Sequence, residues 1–120
     1  MTSSTQPIMI ISSHLCLLTD GSFGRFPMAR LGKGGVVESL DLCPDGPEEV
    51  GGMVFRGGIM VCGLPADFRS EVFEGKDDFS ARMRQYAVRP GGGTVSVLCG
   101  GDLTTLRGAF SRWQPDFSVM

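Results

Sequence analysis

The chain contains a single histidine, His14, so any Ser-His-Asp or Cys-His catalytic site would have to use it. It follows Ser12 and Ser13 within an apolar run, and folding could bring it close to Cys62 or Asp102. A lone strand histidine is more often a half-exposed or hydrogen-bonded side chain, because a triad needs three groups in a defined geometry. A minimal hydrolase that uses His14 is therefore the third of three functional hypotheses.

The other polar side chains do not have the spacing of a metal or phosphate site. The four cysteines are far apart and include no Cys-x-x-Cys pair, so they predict no zinc site, either alone or with the histidine. The glycine-rich stretches 32–35 and 91–93 lack the Gly-x-x-x-x-Gly-Lys-Ser/Thr spacing of a phosphate loop. The acidic pairs 48–49 and 77–78 are adjacent in sequence, which gives paired-carboxylate catalysis little support. We expect no cofactor, no metal and no catalytic residue.

Length and charge indicate one small globular domain. The chain has 120 residues, and its 18 glycines and 7 prolines favour short strands joined by turns. A net charge of −2 provides no basic field for nucleic acid or for acidic lipid. No apolar run approaches the about 18 residues of a membrane helix, and the polar start does not resemble a secretory signal. The cysteines lie mostly in apolar runs, which indicates reduced thiols and a cytoplasmic protein.

Turn residues divide the chain into short segments with strand character. Apolar or alternating runs predict strands over 8–18, 26–31, 36–42, 53–55, 59–62 and 94–99, with a hairpin turn at 32–35. Pro27 places its strand at a sheet edge or makes it the start of the strand. The continuous apolar character of 53–55 and 59–62 predicts burial on both faces. Segments 103–106 and 117–119 are candidate edge strands, with Trp113 between them in the core or an interface.

One helix is predicted over residues 78–87. Its apolar side chains form a single stripe that should pack on a sheet, namely Phe79, Met83, Tyr86 and Ala87. Asp77 or Asp78 is expected to cap its start, and Pro90 is expected to end it. Together the elements predict a mainly β fold, a small β-sandwich with one short α-helix inserted. We expect a flexible tail at 1–7 and a single domain at 8–120, with the helical insertion at about 64–93.

Residues 55–70 resemble the segment of metal-dependent amidohydrolases in which a strand leads into the catalytic barrel. They read Phe-Arg-Gly-Gly-Ile-Met-Val-Cys-Gly-Leu-Pro-Ala-Asp-Phe-Arg-Ser. The family pattern ends in Asn-x-His-x-His, and its two histidines bind the metal. Aligning Gly63 with the family glycine puts Phe68 and Ser70 at the histidine positions. A phenyl ring has no lone pair to donate and a hydroxyl is a weak ligand, so the resemblance implies the scaffold without its metal chemistry.

The resemblance extends to the β-sandwich that this family assembles from both chain ends around an inserted barrel. Residues 11–18, 29–37 and 88–98 are similar to the family's first strand, second hairpin and return strand. A barrel takes about 250 residues, whereas only the 30 residues 64–93 lie between Gly63 and Thr94. The resemblance therefore implies a composite domain in which a short helical connection replaces the barrel.

The resemblance implies a non-catalytic, stand-alone module with a structural or protein-interaction role. Loss of a barrel would uncover the sandwich surface that faced it, and exposed apolar area usually marks an interface. We therefore expect a homodimer or a complex with a partner protein. The alternative hypothesis is a small-molecule-binding domain with a pocket between helix and sheet. Either the pocket or the interface would use four aromatic residues, Phe68, Phe73, Tyr86 and Trp113.

Overall fold

The structure, a computed structural model, describes residues 9–46 and 52–115. In this part of the chain ten strands form two sheets, and one α-helix packs on the larger sheet. The strands are β1 (Met9–Ser12), β2 (Leu15–Leu17), β3 (Phe23–Arg25), β4 (Pro27–Leu31), β5 (Val37–Leu42), β6 (Met53–Phe55), β7 (Ile59–Cys62), β8 (Ser70–Glu74), β9 (Val95–Cys99) and β10 (Arg107–Trp113). Helix α1 spans Lys76–Met83, and short 3-10 turns occupy Lys33–Gly35 and Arg84–Tyr86. The expected mainly β, sandwich-like fold with one short helix is confirmed.

Three chain segments pass from one sheet to the other through a common corner. The small sheet has the order β5-β4-β1-β6, and the large sheet has the order β3-β2-β7-β9-β10-β8. Segments 9–17 and 23–31 form one antiparallel hairpin in a single register, from Met9 opposite Leu31 to Leu17 opposite Phe23. Strands β6 and β7 run parallel to β1 and β2. The corner therefore contains three junctions between the sheets, namely β1 to β2, β3 to β4, and β6 to β7.

The large sheet is buried on both faces at its centre. In β7, Met60 and Cys62 belong to the core between the sheets, whereas Ile59 and Val61 belong to the core beneath α1. This alternation follows from the two-residue period of a strand. All four residues are buried, so the prediction for 59–62 is confirmed. Its continuous apolar sequence reflects two cores that share one strand.

Helix α1 covers the large sheet with an aromatic cluster. The Phe79 ring lies 4.6 Å from the Phe73 ring and 5.9 Å from the Phe110 ring, measured between centroids. Phe79 and Met83 are buried, which confirms the predicted apolar stripe. The helix is displaced from its predicted limits, because it begins at Lys76 and continues beyond Met83 only as a 3-10 turn.

The predicted aspartate cap of the helix was wrong. Gly75 is the N-cap, and no side chain bonds to the helix start there. Asp78 instead lies in the first turn, where its carboxylate accepts a hydrogen bond of 2.9 Å from the backbone N–H of Glu74. The carboxylate thus reaches back to strand β8, because a first-turn side chain points toward the helix N-terminus.

The other expectations for strands divide into confirmed and wrong ones. Strands at 26–31, 36–42, 53–55, 59–62 and 94–99 are present within one residue of their expected limits, and Pro27 begins β4. Segment 8–18 is two strands rather than one, because the corner interrupts it. Segment 103–106 forms turns, so the edge strand predicted there was wrong. Burial of 53–55 on both faces was also wrong, because Val54 and Phe55 are exposed.

Three strands, β3, β8 and β10, were not predicted. Strand β10 lies between the segments 103–106 and 117–119 that were expected to be edge strands, and β8 lies inside the segment expected to be a helical insertion. Strand β8 pairs with β10 at the edge of the large sheet. Residues 1–7, expected to be a tail, and 117–119, expected to be a strand, lie outside the described residues.

Candidate functional site

His14 lies at the corner, opposite Phe26, where the long hairpin crosses from one sheet to the other. The Phe26 N–H donates a hydrogen bond of 2.9 Å to the His14 carbonyl. The His14 ring stands edge-on to the Phe55 ring at 5.2 Å and is tilted against the Phe26 ring at 6.2 Å. His14 and Phe55 are exposed, and Phe26 is half-buried. These three rings, together with Arg25 and Arg56, are named the corner patch below.

The two arginines of the corner patch are positioned by aromatic rings. The Arg25 guanidinium lies 5.7 Å from the centroid of Phe26, and the Arg56 guanidinium lies 5.4 Å from the centroid of Trp113. Such cation–π contacts fix a charge over a ring and leave its edges free to donate hydrogen bonds. Within residues 9–46 and 52–115, neither guanidinium forms an ion pair with a carboxylate. The patch therefore combines exposed aromatic surface with positive charge in a chain of net charge −2.

A bulge beside His14 shapes the patch. Between the paired positions Ser12–Phe55 and Leu15–Ile59, one strand advances three residues and the other advances four. One extra residue therefore lies in segment 56–58, and a bulge of this kind bends the strand and re-aims its side chains. A side chain at Gly57 would come within 3.0 Å of the His14 imidazole. The Gly57-Gly58 pair thus ends β6 and leaves room for the ring.

Phe26 adopts a backbone conformation that bulky residues rarely show. Its φ is 48°, and the only other described non-glycine residue with positive φ is Leu106, which is buried in a turn. A left-handed conformation costs a bulky residue about 1–3 kcal/mol, and such strain is concentrated at functional sites. Two hydrogen bonds hold Phe26 there, one to His14 and one in which the Cys43 N–H donates to the Phe26 carbonyl at 3.0 Å.

The two serines that precede His14 are fully buried beneath the patch. The Ser13 hydroxyl donates a hydrogen bond of 2.7 Å to the Leu15 carbonyl. The Ser12 hydroxyl has no hydrogen-bond partner among the described residues. Ser12 pairs with Met28 on one side and with Phe55 on the other, so its neighbours across the sheet are apolar.

Cys62 and Asp102, which the sequence left open as neighbours of His14, form local hydrogen bonds. The Cys62 thiol donates to the Ala87 carbonyl at 3.1 Å, and burial raises the pKa of this thiol. Asp102 accepts hydrogen bonds from the backbone N–H groups of Thr105 and Thr104, and these bonds hold the pKa of its carboxyl below the usual value. Both groups are therefore held in local hydrogen bonds, and the Cys62 thiol lacks the lowered pKa that activates a nucleophile.

The four aromatic residues expected to line a pocket or an interface lie on two faces of the large sheet. Phe73 is buried in the core beneath α1, and Phe68 and Tyr86 pack half-buried against the same core. Trp113 packs against the core between the sheets. The structure therefore brings the first three together and places Trp113 beside Arg56 of the corner patch.

Two further features of the described residues bear on the site. A surface depression of about 340 Å3, lined by residues 42–46, adjoins the corner through the Cys43–Phe26 hydrogen bond. Among residues 9–46 and 52–115, no three His, Cys, Asp or Glu side chains are grouped closely enough to hold a metal ion. In the same residues no helix has the length and apolar character needed to cross a membrane.

No family model, curated protein or solved structure matches this chain. The resemblance to the amidohydrolase composite domain accordingly stays a prediction that depends on residues 55–70 and the flanking segments. Sequence reasoning singled out His14 but missed Phe26, Phe55 and the two arginines of the corner patch. A signal for Phe55 and Arg56 is the Gly57-Gly58 pair that follows them, because a bulge there re-aims the neighbouring side chains.

Proposed function

We propose that this protein is a non-catalytic binding module that associates with protein through β6, one of the two edge strands of its small sheet. The observation that carries the proposal is strand β6, an edge strand with Val54 38% exposed and Phe55 41% exposed. An edge strand presents backbone groups that can pair with another chain, and exposed apolar side chains add affinity to that pairing.

The backbone of β6 has hydrogen-bonding capacity that faces away from the sheet. The Arg56 N–H donates to the Ser12 carbonyl at 2.9 Å, so Arg56 faces β1. Because strand residues alternate, Val54 also faces β1, whereas Met53 and Phe55 direct their N–H and C=O groups outward. A chain that adds to this edge would bond to the backbone of Met53 and Phe55.

The edge of the large sheet at β8 is protected against such pairing. The Arg82 guanidinium donates to the Val72 carbonyl at 2.9 Å, and the Asp78 carboxylate accepts from the Glu74 N–H at 2.9 Å. Both backbone groups face outward, and side chains of α1 occupy the positions that another strand would need. The contrast between β8 and β6 supports β6 as the interface.

The size of β6 limits what it can achieve alone. A stable interface buries roughly 800 Å2 on each partner, and three strand residues cover only a small fraction of this. Pairing at β6 would therefore be weak unless the partner also contacts the corner patch, whose rings and arginines lie at the C-terminal end of the strand. We propose either a homodimer or a partner complex that covers both surfaces.

The proposal is consistent with a composite domain that functions without a barrel. We also propose a cytoplasmic location, supported by the four cysteines, all of which are free thiols. The two alternative functions have less support. A ligand pocket would have to form among Phe68, Phe73 and Tyr86, and Phe73 is already fully buried. Hydrolysis would have to use His14, whose neighbouring rings are apolar.

Light scattering and assays of hydrolysis test the proposal. If the protein forms a homodimer, we expect its mass to rise with protein concentration up to about 1 mM, the range of weak specific binding. If it binds a partner protein instead, we expect that binding to require β6. Phe55→Asp should abolish either association, while Val72→Asp at the protected edge should not. Loss of association in both variants, or in neither, would contradict an interface at β6. Turnover of ester or amide substrates that His14→Ala abolishes would contradict a non-catalytic role.

A further inference from the structure

We infer that the occupant of the β6 edge is an extended acidic peptide segment of a partner protein, with carboxylate and apolar side chains in alternation. The inference rests on the proposed function and specifies the partner of that site. It follows from the two different sides that β6 presents to an added strand.

The two sides of β6 differ in chemistry. Phe55 lies with His14 on one side, where the corner patch is aromatic. Arg56, the next residue, lies on the other side, where its guanidinium stacks on Trp113. Since side chains of an added strand also alternate, one set would contact the aromatic side and the other would approach Arg56. An apolar–acidic alternation matches both sides at once.

Charge favours carboxylates on the added strand. The guanidiniums of Arg25 and Arg56 are exposed and form no ion pair with a carboxylate of the described residues. Stacking on Phe26 and Trp113 holds the planar groups in place, which reduces the entropy lost when a carboxylate binds in the bidentate geometry. Each arginine is therefore a preorganised site for one carboxylate.

A second copy of this chain fits the same edge less well. In an antiparallel β6–β6 pair centred on Val54, Arg56 would stand opposite Gly52 of the second copy, because the paired residue numbers sum to 108. Glycine supplies no carboxylate, so in this register neither guanidinium has a counter-charge directly opposite it among the described residues. Burying an unpaired charge is unfavourable. Nucleic acid fits less well too, because the chain carries a net charge of −2 and an edge strand recognises peptide backbone.

The test uses the full chain and two blocked heptapeptides, one of alternating valine and aspartate and one of alternating valine and lysine. Trp113 is the only tryptophan, so its fluorescence reports on the neighbourhood of Arg56. We expect the aspartate peptide to bind at least about tenfold more tightly than the lysine peptide, as one charge-assisted contact allows. Amide exchange should slow at Met53 and Phe55 and stay unchanged at Val54, whose N–H already faces β1.

Arg56→Gln should weaken binding of the aspartate peptide about tenfold, and Arg25→Gln should weaken it less, because that residue lies farther from β6. Arg107→Gln, an equal charge change at an exposed position on β10, is the matched control and should have no effect. Circular dichroism confirms that each variant is folded.

Several outcomes would overturn the inference. The occupant is not an acidic strand if both peptides bind with equal affinity or if neither binds. The same conclusion follows if Arg56→Gln binds the aspartate peptide as tightly as the wild type does. Slowed amides at Met53 and Phe55 caused by oligothymidylate would assign the surface to nucleic acid instead. A homodimer that Phe55→Asp dissociates would overturn the acidic occupant and yet support the proposed interface, so the two failures can be told apart.

Discussion

Alanine substitutions at the adjacent glycines 57 and 58 should have very different effects on stability. Gly58 has a φ of 147°, and a Cβ there would overlap the Leu98 carbonyl oxygen and lie 2.8 Å from Val97 Cγ1. The obstacle is the backbone of β9, which cannot move without breaking its pairing with β7. A Cβ at Gly57 would meet only the exposed ring of His14, at 3.0 Å.

The magnitudes follow from these contacts. For Gly58→Ala, a backbone conformation reserved for glycine costs about 1–3 kcal/mol, and forcing a methyl group into a packed region costs about 1–3 kcal/mol more. The expected loss is about 4 kcal/mol, a large part of the 5–15 kcal/mol that stabilises a typical domain. For Gly57→Ala the imidazole can turn aside, and the lower entropy of the unfolded chain contributes about 0.4–1 kcal/mol of stabilisation. The net change should be close to zero.

Urea unfolding followed by circular dichroism measures both variants against the wild type. For a chain of this size a loss of about 4 kcal/mol corresponds to a drop in Tm of at least roughly 15 °C, so thermal unfolding provides a second measurement. The double variant His14→Ala/Gly57→Ala removes the one contact that Gly57→Ala strains and should be no less stable than His14→Ala alone. Equal destabilisation by Gly57→Ala and Gly58→Ala would refute the position assigned to the bulge.

Three further predictions concern single side chains. Arg82→Ala should lower the free energy of unfolding by about 1–2 kcal/mol, because it removes the hydrogen bond to the Val72 carbonyl and a cation–π contact of 4.6 Å with the Phe73 ring. The exposed ion pairs of Arg82 add little. An unchanged urea midpoint would contradict this prediction. Ser12→Ala should be neutral or stabilising by up to about 1 kcal/mol, because it removes a buried hydroxyl with no partner among the described residues. Ser13→Ala should cost about 1 kcal/mol, because it removes the hydrogen bond to the Leu15 carbonyl. The reverse order of stability in urea titrations would count against these hydrogen-bond assignments. Burial raises the pKa of the Cys16 thiol from 9.0 to about 12, so its contribution to stability is complete below pH 9 and is lost as the pH rises toward 12. The unfolding free energy of the wild type should therefore fall more steeply above pH 9 than that of Cys16→Ala, and equal slopes would argue against the buried thiol.

The central strand β7, which is buried on both faces, was readable from the sequence. Segment 59–62 is continuously apolar because two cores share it. The stripe of α1 was readable for the same reason, since Phe79 and Met83 recur with the period of a helix and are both buried. In each case the local pattern and the final environment of the side chains agree, so no knowledge of distant contacts was needed.

The edges of the sheets were not readable in this way. Strand β8 has the sequence Ser-Glu-Val-Phe-Glu, of which only Phe73 is buried. Its extended conformation depends on β10, which is more than thirty positions away in the chain, and on side chains of α1. Segment 103–106 misled for the opposite reason, because Leu106 is fully buried although it lies in a turn with a φ of 57°. Burial without a repeating pattern does not identify a strand.

The sequence identified one residue of the corner patch but not the residues around it. His14 was singled out because it is the only imidazole, but its neighbours are set by strand register. Phe26 stands opposite His14 because the paired residue numbers of the hairpin sum to 40 throughout, and this sum depends on the turn at residues 18–22. Phe55 reaches the same ring because β6 pairs with β1 in the register that puts Phe55 opposite Ser12. Register and bulges arise from tertiary pairing, which the sequence of a single strand does not encode.

Exposure alone would place the proposed interface at β8 rather than at β6. Val72 on β8 is 63% exposed, more than any other large apolar side chain of the described residues, yet Arg82 and Asp78 occupy the outward backbone groups of its strand. The availability of those groups, rather than apolar area, decides whether a strand can be extended. The two edges should therefore respond differently to substitution. Changes at Phe55 should alter association with little effect on stability, whereas loss of Arg82 should lower stability and expose a second edge that is able to pair.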